Sequence, residues 1–224
     1  MQAVYSGNPE GLNHLKKTGI NCTEFNSKKL NQDQVLIVGP GGSNQLSASV
    51  KTIEKWLKAG GHLLAVGLDQ HETDTFLPFR VTFKKEEHIA AYFETFKGSS
   101  VFAGISPADV HYRAPEELLK VSSGAAVNVN GILAQSESGN VVLCQLVPWQ
   151  LDYSREQHNV KQTYRRTSFM LSRLLSNIGV ASTVPLLDSF KTPVTPEKAE
   201  KRWLEGLYVD IPEEWDDPYR FFRW

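Results

Sequence analysis

The sequence predicts an α/β domain of three layers around a mostly parallel sheet, and three observations predict it. Short apolar runs bounded by turn residues alternate with amphipathic stretches through the first third of the chain. The clearest run, VLIV at 35–38, passes straight into Gly39-Pro40-Gly41-Gly42, as a buried strand entering a tight turn does. A long stretch at 160–178 carries a broad apolar face at helical spacing. Strand, helix and strand at these intervals call for parallel strands joined by crossover helices.

In chain order, AVYS at 3–6 reads as the first strand. Residues 9–18 read as a helix, with Pro9 in the first turn, where a missing N–H costs nothing. Residues 21–25 make a short strand and 35–38 a buried one. The stretch 47–59 places Val50, Ile53, Trp56 and Leu57 on one helical face, and Gly60-Gly61 stop it. HLLAVG at 62–67 is a further buried strand. The middle is less regular. FLPFRVTFKK alternates around Val81 and Phe83, while HIAAYFETF at 88–96 fits a helix and a strand alike. FAGISPADVHYRAPEELL is loop-rich, with Ser106-Pro107-Ala108-Asp109 as a turn or a short helix start. Strands follow at 125–129, 131–135 and 140–146, separated by the hairpin signals Asn130-Gly131 and Ser138-Gly139-Asn140. The last helix shows Tyr164, Phe169, Met170, Leu171, Leu174 and Leu175 on its apolar side, and Asn177 and Gly179 end it.

Beyond about Ala181 the composition changes. TPVTPEK resembles a linker, and DIPEEWDDPYRFFRW mixes acids, prolines and aromatics without a period. Three of the five tryptophans, Trp203, Trp215 and Trp224, fall there. The organisation read from this is an α/β domain over 1–185 and an aromatic extension over 186–224. That extension packs on the domain or docks a partner, since exposed aromatics favour interfaces.

The bulk numbers exclude several classes. The chain has 224 residues, 41% apolar and 22% charged, enough for a sizeable core and ordinary for a soluble globular protein. A net charge of −1 gives no field to recruit nucleic acid or an anionic membrane. Cys22 and Cys144 form neither a metal spacing nor a disulfide framework, and Cys144 lies in an apolar run as a buried, inert thiol. The start, MQAVYSGNPEG, lacks the basic-then-apolar order of a signal peptide, and no run approaches the ~18 apolar residues of a membrane span. The compartment stays open.

In a doubly wound sheet, functional groups gather beyond the carboxyl ends of the strands. Three loops fall there: 39–44, 67–72 and 147–153. The first lacks the Gly-Lys-Ser/Thr end of a P-loop and the spacing of a dinucleotide fingerprint, so it reads as a tight turn. The second, in LLAVGLDQHE, is where a nucleophile elbow belongs, yet its tip offers Gly67 and Leu68, and neither can attack a substrate. Asp69, His71 and Glu72 titrate beside it and form a solvated loop, a loop that holds the vacated pocket by hydrogen bonds, or a pair of acids for glycoside chemistry. Asp109, His111 and Arg113 alternate, so in an extended segment they share a face. In the third loop Trp149, Gln150, Asp152 and Tyr153 combine an aromatic face with hydrogen-bonding groups. They suit a sugar platform, or an apolar plug in a vacated pocket. His71 and His111 lack convincing metal spacing.

HLLAVGLDQ resembles the strand and Gly-x-Cys-x-Gly elbow of the class I glutamine amidotransferase-like, flavodoxin-like fold, and CQLVPWQ resembles its Gln-Phe-His-Pro-Glu strand end. Carried over position by position, that family's cysteine falls at Gly67 or Leu68, its histidine at Val147 and its glutamate at Trp149. The resemblance therefore implies the scaffold without the amidase triad. FAGISPADVHYR, GNVVLCQLVPWQLDY and NVKQTYRRTSFMLSRLLSNIGV further resemble amidotransferase-like domains appended to glycoside-hydrolase-like and β-galactosidase-like proteins. In those relatives the domain serves in subunit assembly and the carbohydrate chemistry lies elsewhere.

The resulting expectation is a non-catalytic accessory or assembly domain of a carbohydrate-active multidomain protein, which leaves room for an exported parent. It is expected to need no cofactor or metal. Its partners would be other domains or subunits, with a saccharide as candidate ligand, and neither nucleic acid nor membrane. The candidate pocket comprises Gly67, Leu68, Asp69, His71, Glu72, Asp109, His111, Arg113, Trp149 and Tyr153. Two rival readings are a glycoside hydrolase using Asp69, Glu72, His71 or His111, and a carbohydrate-binding module using Trp149 and Tyr153.

Overall fold

In chain order the elements are β1 (Gln2–Ser6), α1 (Pro9–Lys17), β2 (Cys22–Glu24), β3 (Gln34–Val38), α2 (Ser43–Leu46), α3 (Val50–Lys58), β4 (His62–Val66), α4 (Gln70–Phe76), β5 (Thr82–His88), β6 (Glu116–Ser123), β7 (Ala126–Asn128), β8 (Leu133–Gln135), β9 (Val141–Cys144) and α5 (His158–Ile178). They come from a computed structural model that describes residues 1–26, 30–112, 114–152 and 158–180, all within the unit Met1–Ser182. The expected extension 186–224, with Arg113 and Tyr153, lies outside the described residues.

Seven strands form the main sheet in the order β2-β1-β3-β4-β9-β8-β7. The first five are parallel, and β8 and β7 run antiparallel at one edge. This is the α/β, mostly parallel sheet that the sequence predicts. The alternation of a strand gives the sheet two apolar faces. On one face Leu36, Leu63, Ala65 and Leu143 pack with Leu46, Ile53, Trp56 and Phe76 from α2, α3 and α4. On the other, the Tyr5 ring lies against Gly11 of α1, and His14 of α1 meets Tyr164 of α5 at 5.6 Å between ring centres. Helices on both faces complete three layers. Each leucine or isoleucine buried in these faces contributes about 1.5–3 kcal/mol relative to exposure.

The chain departs from expectation in three places. The helix expected over 47–59 is broken by a tight turn at Ser47–Ser49, where the Ser47 hydroxyl donates to the Asn44 carbonyl at 2.8 Å. Such local bonds compete with regular helix. The ambiguous stretch 88–96 is neither helix nor strand beyond His88, which closes β5. His88 is buried, and its Nε2 donates to the Val110 carbonyl at 2.7 Å. Finally, β6 begins inside the segment read as loop-rich. It pairs antiparallel with β5 in a separate two-stranded ribbon, and its sequence EELLKVSS carries too many charges to show a period of two.

Both cysteines are buried free thiols, and burial pushes each up to about 12. Among the described residues, no helix is long and apolar enough to cross a membrane.

Candidate functional site

The three loops past the parallel strands' carboxyl ends meet at Gly67. β4 turns into α4 through Gly67, whose φ of +62° is in the left-handed region that glycine enters freely. Its N–H donates to the Cys144 carbonyl at 2.8 Å, which ties the turn to β9. A Cβ built at Gly67 would stand 2.0 Å from Cγ2 of Val147 and 3.7 Å from Cγ of Pro40. The apex, the end of β9 and the 39–42 turn therefore meet at a point. This is the layout a nucleophile elbow needs, with the activating group of the next strand facing the apex. Here the facing pair is a glycine and a valine, with no thiol, hydroxyl or imidazole between them. Leu68 is wholly buried in the core on the α2–α4 side, so Gly67 alone occupies the apex.

Asp69 and Glu72 are committed to the backbone. Asp69 caps α4: its Oδ1 accepts the Glu72 N–H at 2.8 Å, and Glu72 Oε2 accepts the Asp69 N–H at 3.3 Å. This reciprocal capping box holds the helix start. Glu72 Oε1 also accepts the Gly41 N–H at 2.6 Å, which pins the 39–42 turn to α4. His71 is exposed, and its carbonyl takes the Thr75 hydroxyl at 2.7 Å.

Tyr5 fills the crevice where the strand order reverses between β1 and β3, the usual ligand position in such sheets. It is 2% exposed, and its hydroxyl donates to Asn8 Oδ1 at 3.1 Å. A Cβ at Gly7, Gly11 or Gly39 would come within 2.0–2.4 Å of that hydroxyl, so the surrounding chain is shaped to the ring. Burial drives the phenol well above its usual range, and it stays neutral.

Trp149 does not sit over Gly67's open side; Val147 does. The indole instead meets the α1 side of the sheet. It lies edge-on to Tyr5 at 6.4 Å and tilted on His14 at 5.5 Å. His14 is 4% exposed, and its Nδ1 is 3.4 Å from the Tyr164 hydroxyl. Burial lowers His14 to about 4, so it is neutral at pH 7. Beside this cluster a cavity of about 200 Å³ is lined by Glu10, Asn13, His14, Lys17, Trp149 and Tyr164. Sequence reasoning missed both Tyr5 and His14. The signal for Tyr5 was the set of glycines in SGNPEG and VGPGG around one strand end. That for His14 was its place on the buried Leu12–Leu15 side of α1.

Asp109 and His111 do not share an extended face, because Ser106-Pro107 starts a short turn of helix over Pro107–Val110. Asp109 Oδ2 accepts both the N–H and the hydroxyl of Ser106, at 2.7 and 2.8 Å. His111 Nδ1 faces Nη1 of Arg166 at 3.2 Å. Guanidinium only donates, so that nitrogen is the acceptor and is unprotonated. Asp109 thus bonds within its own segment, while His111 fastens the 98–112 segment to α5, as do the bonds from Asn177 Nδ2 to the Val101 and Ala103 carbonyls at 2.8 and 2.9 Å. Among the described residues, no group of three or more His, Cys, Asp or Glu side chains is placed to hold a metal ion.

Fold and site define a three-layer α/β domain with an elbow-like turn after its fourth strand and glycine at the apex. No family model and no curated protein matches the chain. Among solved structures it is similar to PurLQS from Thermotoga maritima, at 13% identity and a TM-score of 0.47, over 78% of this chain and 97% of that one. It is also similar to a glutamine amidotransferase from Thermotoga maritima, at 13% identity and a TM-score of 0.43, over 79% and 96% of the two chains.

Proposed function

We propose that this chain is a class I glutamine amidotransferase-like domain without amidase chemistry, and that it serves as an accessory or assembly module of a carbohydrate-active multidomain protein. The observation that carries the first part is the contact between Gly67 and Val147. Covalent catalysis at an elbow needs a nucleophile and a base within hydrogen-bond reach. The side chain facing the apex from the end of β9 is an isopropyl group, and the Cβ position is already filled. Tyr5 occupies the neighbouring crevice, and Asp69 and Glu72 accept backbone N–H groups in place of a substrate's protons. The carbohydrate context is supported by the sequence resemblance of the 102–113, 139–153 and 159–180 segments.

Two experiments test this. The purified chain, offered glutamine and chromogenic glycosides, is expected to release neither ammonia nor aglycone above the buffer rate. Turnover abolished by Asp69→Asn or Glu72→Gln would instead establish the hydrolase. The genomic reading frame on either side of this sequence is expected to encode a glycosidase-like domain. Stop codons hard against Met1 and Trp224 would remove the multidomain context.

A further inference from the structure

The α1–α5 cavity combines features that the vacated elbow lacks. Among the described residues, His14 Nε2 and Trp149 Nε1 are both buried without a hydrogen-bond partner, a condition that costs about 1–3 kcal/mol per group. Two such nitrogens, in rings whose centres are 5.5 Å apart, call for an explanation beyond packing. Both rings are in the wall of one cavity. Its rim adds a carboxylate from Glu10, an amide from Asn13 and an ammonium from Lys17, all exposed. The two formal charges cancel, α1 lines the space with donors and acceptors, and the half-buried indole supplies an apolar surface.

The volume of about 200 Å³ is below the ~300–1,000 Å³ of drug-sized sites. It suits one small ring. A neutral lining selects against simple anions and cations. A mixed donor–acceptor rim beside an indole matches a molecule whose edge is hydroxyls and whose face is C–H. We propose that this cavity binds a single saccharide ring. Its hydroxyls would engage the Asn13, Lys17 and Glu10 side chains, and an inward hydroxyl would meet Trp149 Nε1 after a small turn of the indole, since that nitrogen is sealed from water. This deepens the carbohydrate-associated reading above and relocates the sugar contact of Trp149 from the apex of the elbow to the α1 side of the sheet.

The test is a titration of the isotope-labelled chain followed by NMR, with the Trp149 indole signal assigned by its loss in Trp149→Phe. Galactose, glucose and mannose are added up to tens of millimolar, the weak end of the affinity scale, with glycine and glutamine as zwitterionic controls. The expected result is a saturable shift of the Trp149 indole and His14 ring signals with at least one sugar. Asn13→Ala and Lys17→Ala, on the exposed rim, should each weaken binding by about tenfold at unchanged Tm. Absence of a saturable shift with any sugar, wild-type affinity in both rim variants, or binding of the amino acids alone overturns the proposal. None of these outcomes touches the elbow, so the non-catalytic reading is judged separately by the turnover assays.

Discussion

Val147 and Trp149 stand two residues apart just past the end of β9, in contrasting surroundings. Val147 presses an isopropyl group onto the apex of the β4–α4 turn, where the space for a side chain on Gly67 is already taken. Trp149 lies among Tyr5, His14 and Tyr164, where two buried ring nitrogens lack partners and a cavity opens alongside. The first place is a packed apolar contact with nothing to react. The second keeps polar groups whose desolvation is uncompensated. A turn can therefore lack reactive groups, filled by packing, while the loop beside it presents chemistry suited to a ligand on the other side of the sheet.

The sharpest way to break the comparison is at Gly67. Gly67→Ala forces a left-handed φ on a residue with a Cβ and drives that carbon into Val147. Overpacking and backbone strain together should cost about 4 kcal/mol. The double variant Gly67→Ala/Val147→Ala should recover part of that loss in urea denaturation; no recovery would show that the two residues do not meet.

On the Trp149 side the expected effect is a pH dependence. The folded pKa of His14 lies near 4, below its ordinary 6.5, so the unfolded chain binds the proton first. Stability is complete above about 6.5, falls as pH drops toward 4, and then levels. The full decline from this group is about 3 kcal/mol. Burial also lowers His88, which adds a slope of the same sign. His14→Phe should therefore flatten the acid limb in part, and an unchanged limb would contradict the burial of the neutral imidazole.

A smaller effect belongs to Glu72. Glu72→Ala removes half of the capping box and the bond to Gly41, at about 1–2 kcal/mol. It should also speed hydrogen exchange at the Gly41 amide. If that amide keeps its protection, Glu72 does not hold the turn. The smallest change is His71→Ala, an exposed position where stability should move by no more than about 0.5 kcal/mol. A loss well beyond that would place His71 in a contact of its own.

Much of the parallel sheet was legible because β1, β3, β4 and β9 are buried on both faces and appear as plain apolar runs, several of them ending in glycine or proline turns. β6 was illegible for the opposite reason. Its partner β5 is also charge-rich beyond the alternation at Val81 and Phe83, and a two-stranded ribbon outside the main sheet leaves no clean pattern across EELLKVSS. At the site, the absence of a nucleophile at Gly67 or Leu68 could be read directly, since chemistry requires particular atoms. The choice between them could not, because it depends on which residue takes φ of +62° and which enters the core. Asp69 and Glu72 left a catalytic rival open in the sequence because a capping carboxylate and a general acid have the same composition. Only their backbone partners distinguish the roles.

The sequence by itself determined the strand-and-helix alternation and the lack of any reactive side chain at the elbow, since periodicity and residue identity are local properties. The tertiary structure alone decided that Val147 rather than Trp149 closes over Gly67, and that Tyr5 fills the crevice between β1 and β3. It also brought His14, Trp149 and Tyr164 from three separate segments to one cavity. Those outcomes depend on which side of the sheet each residue faces and on distances between segments far apart in the chain, and no pattern along one segment encodes them.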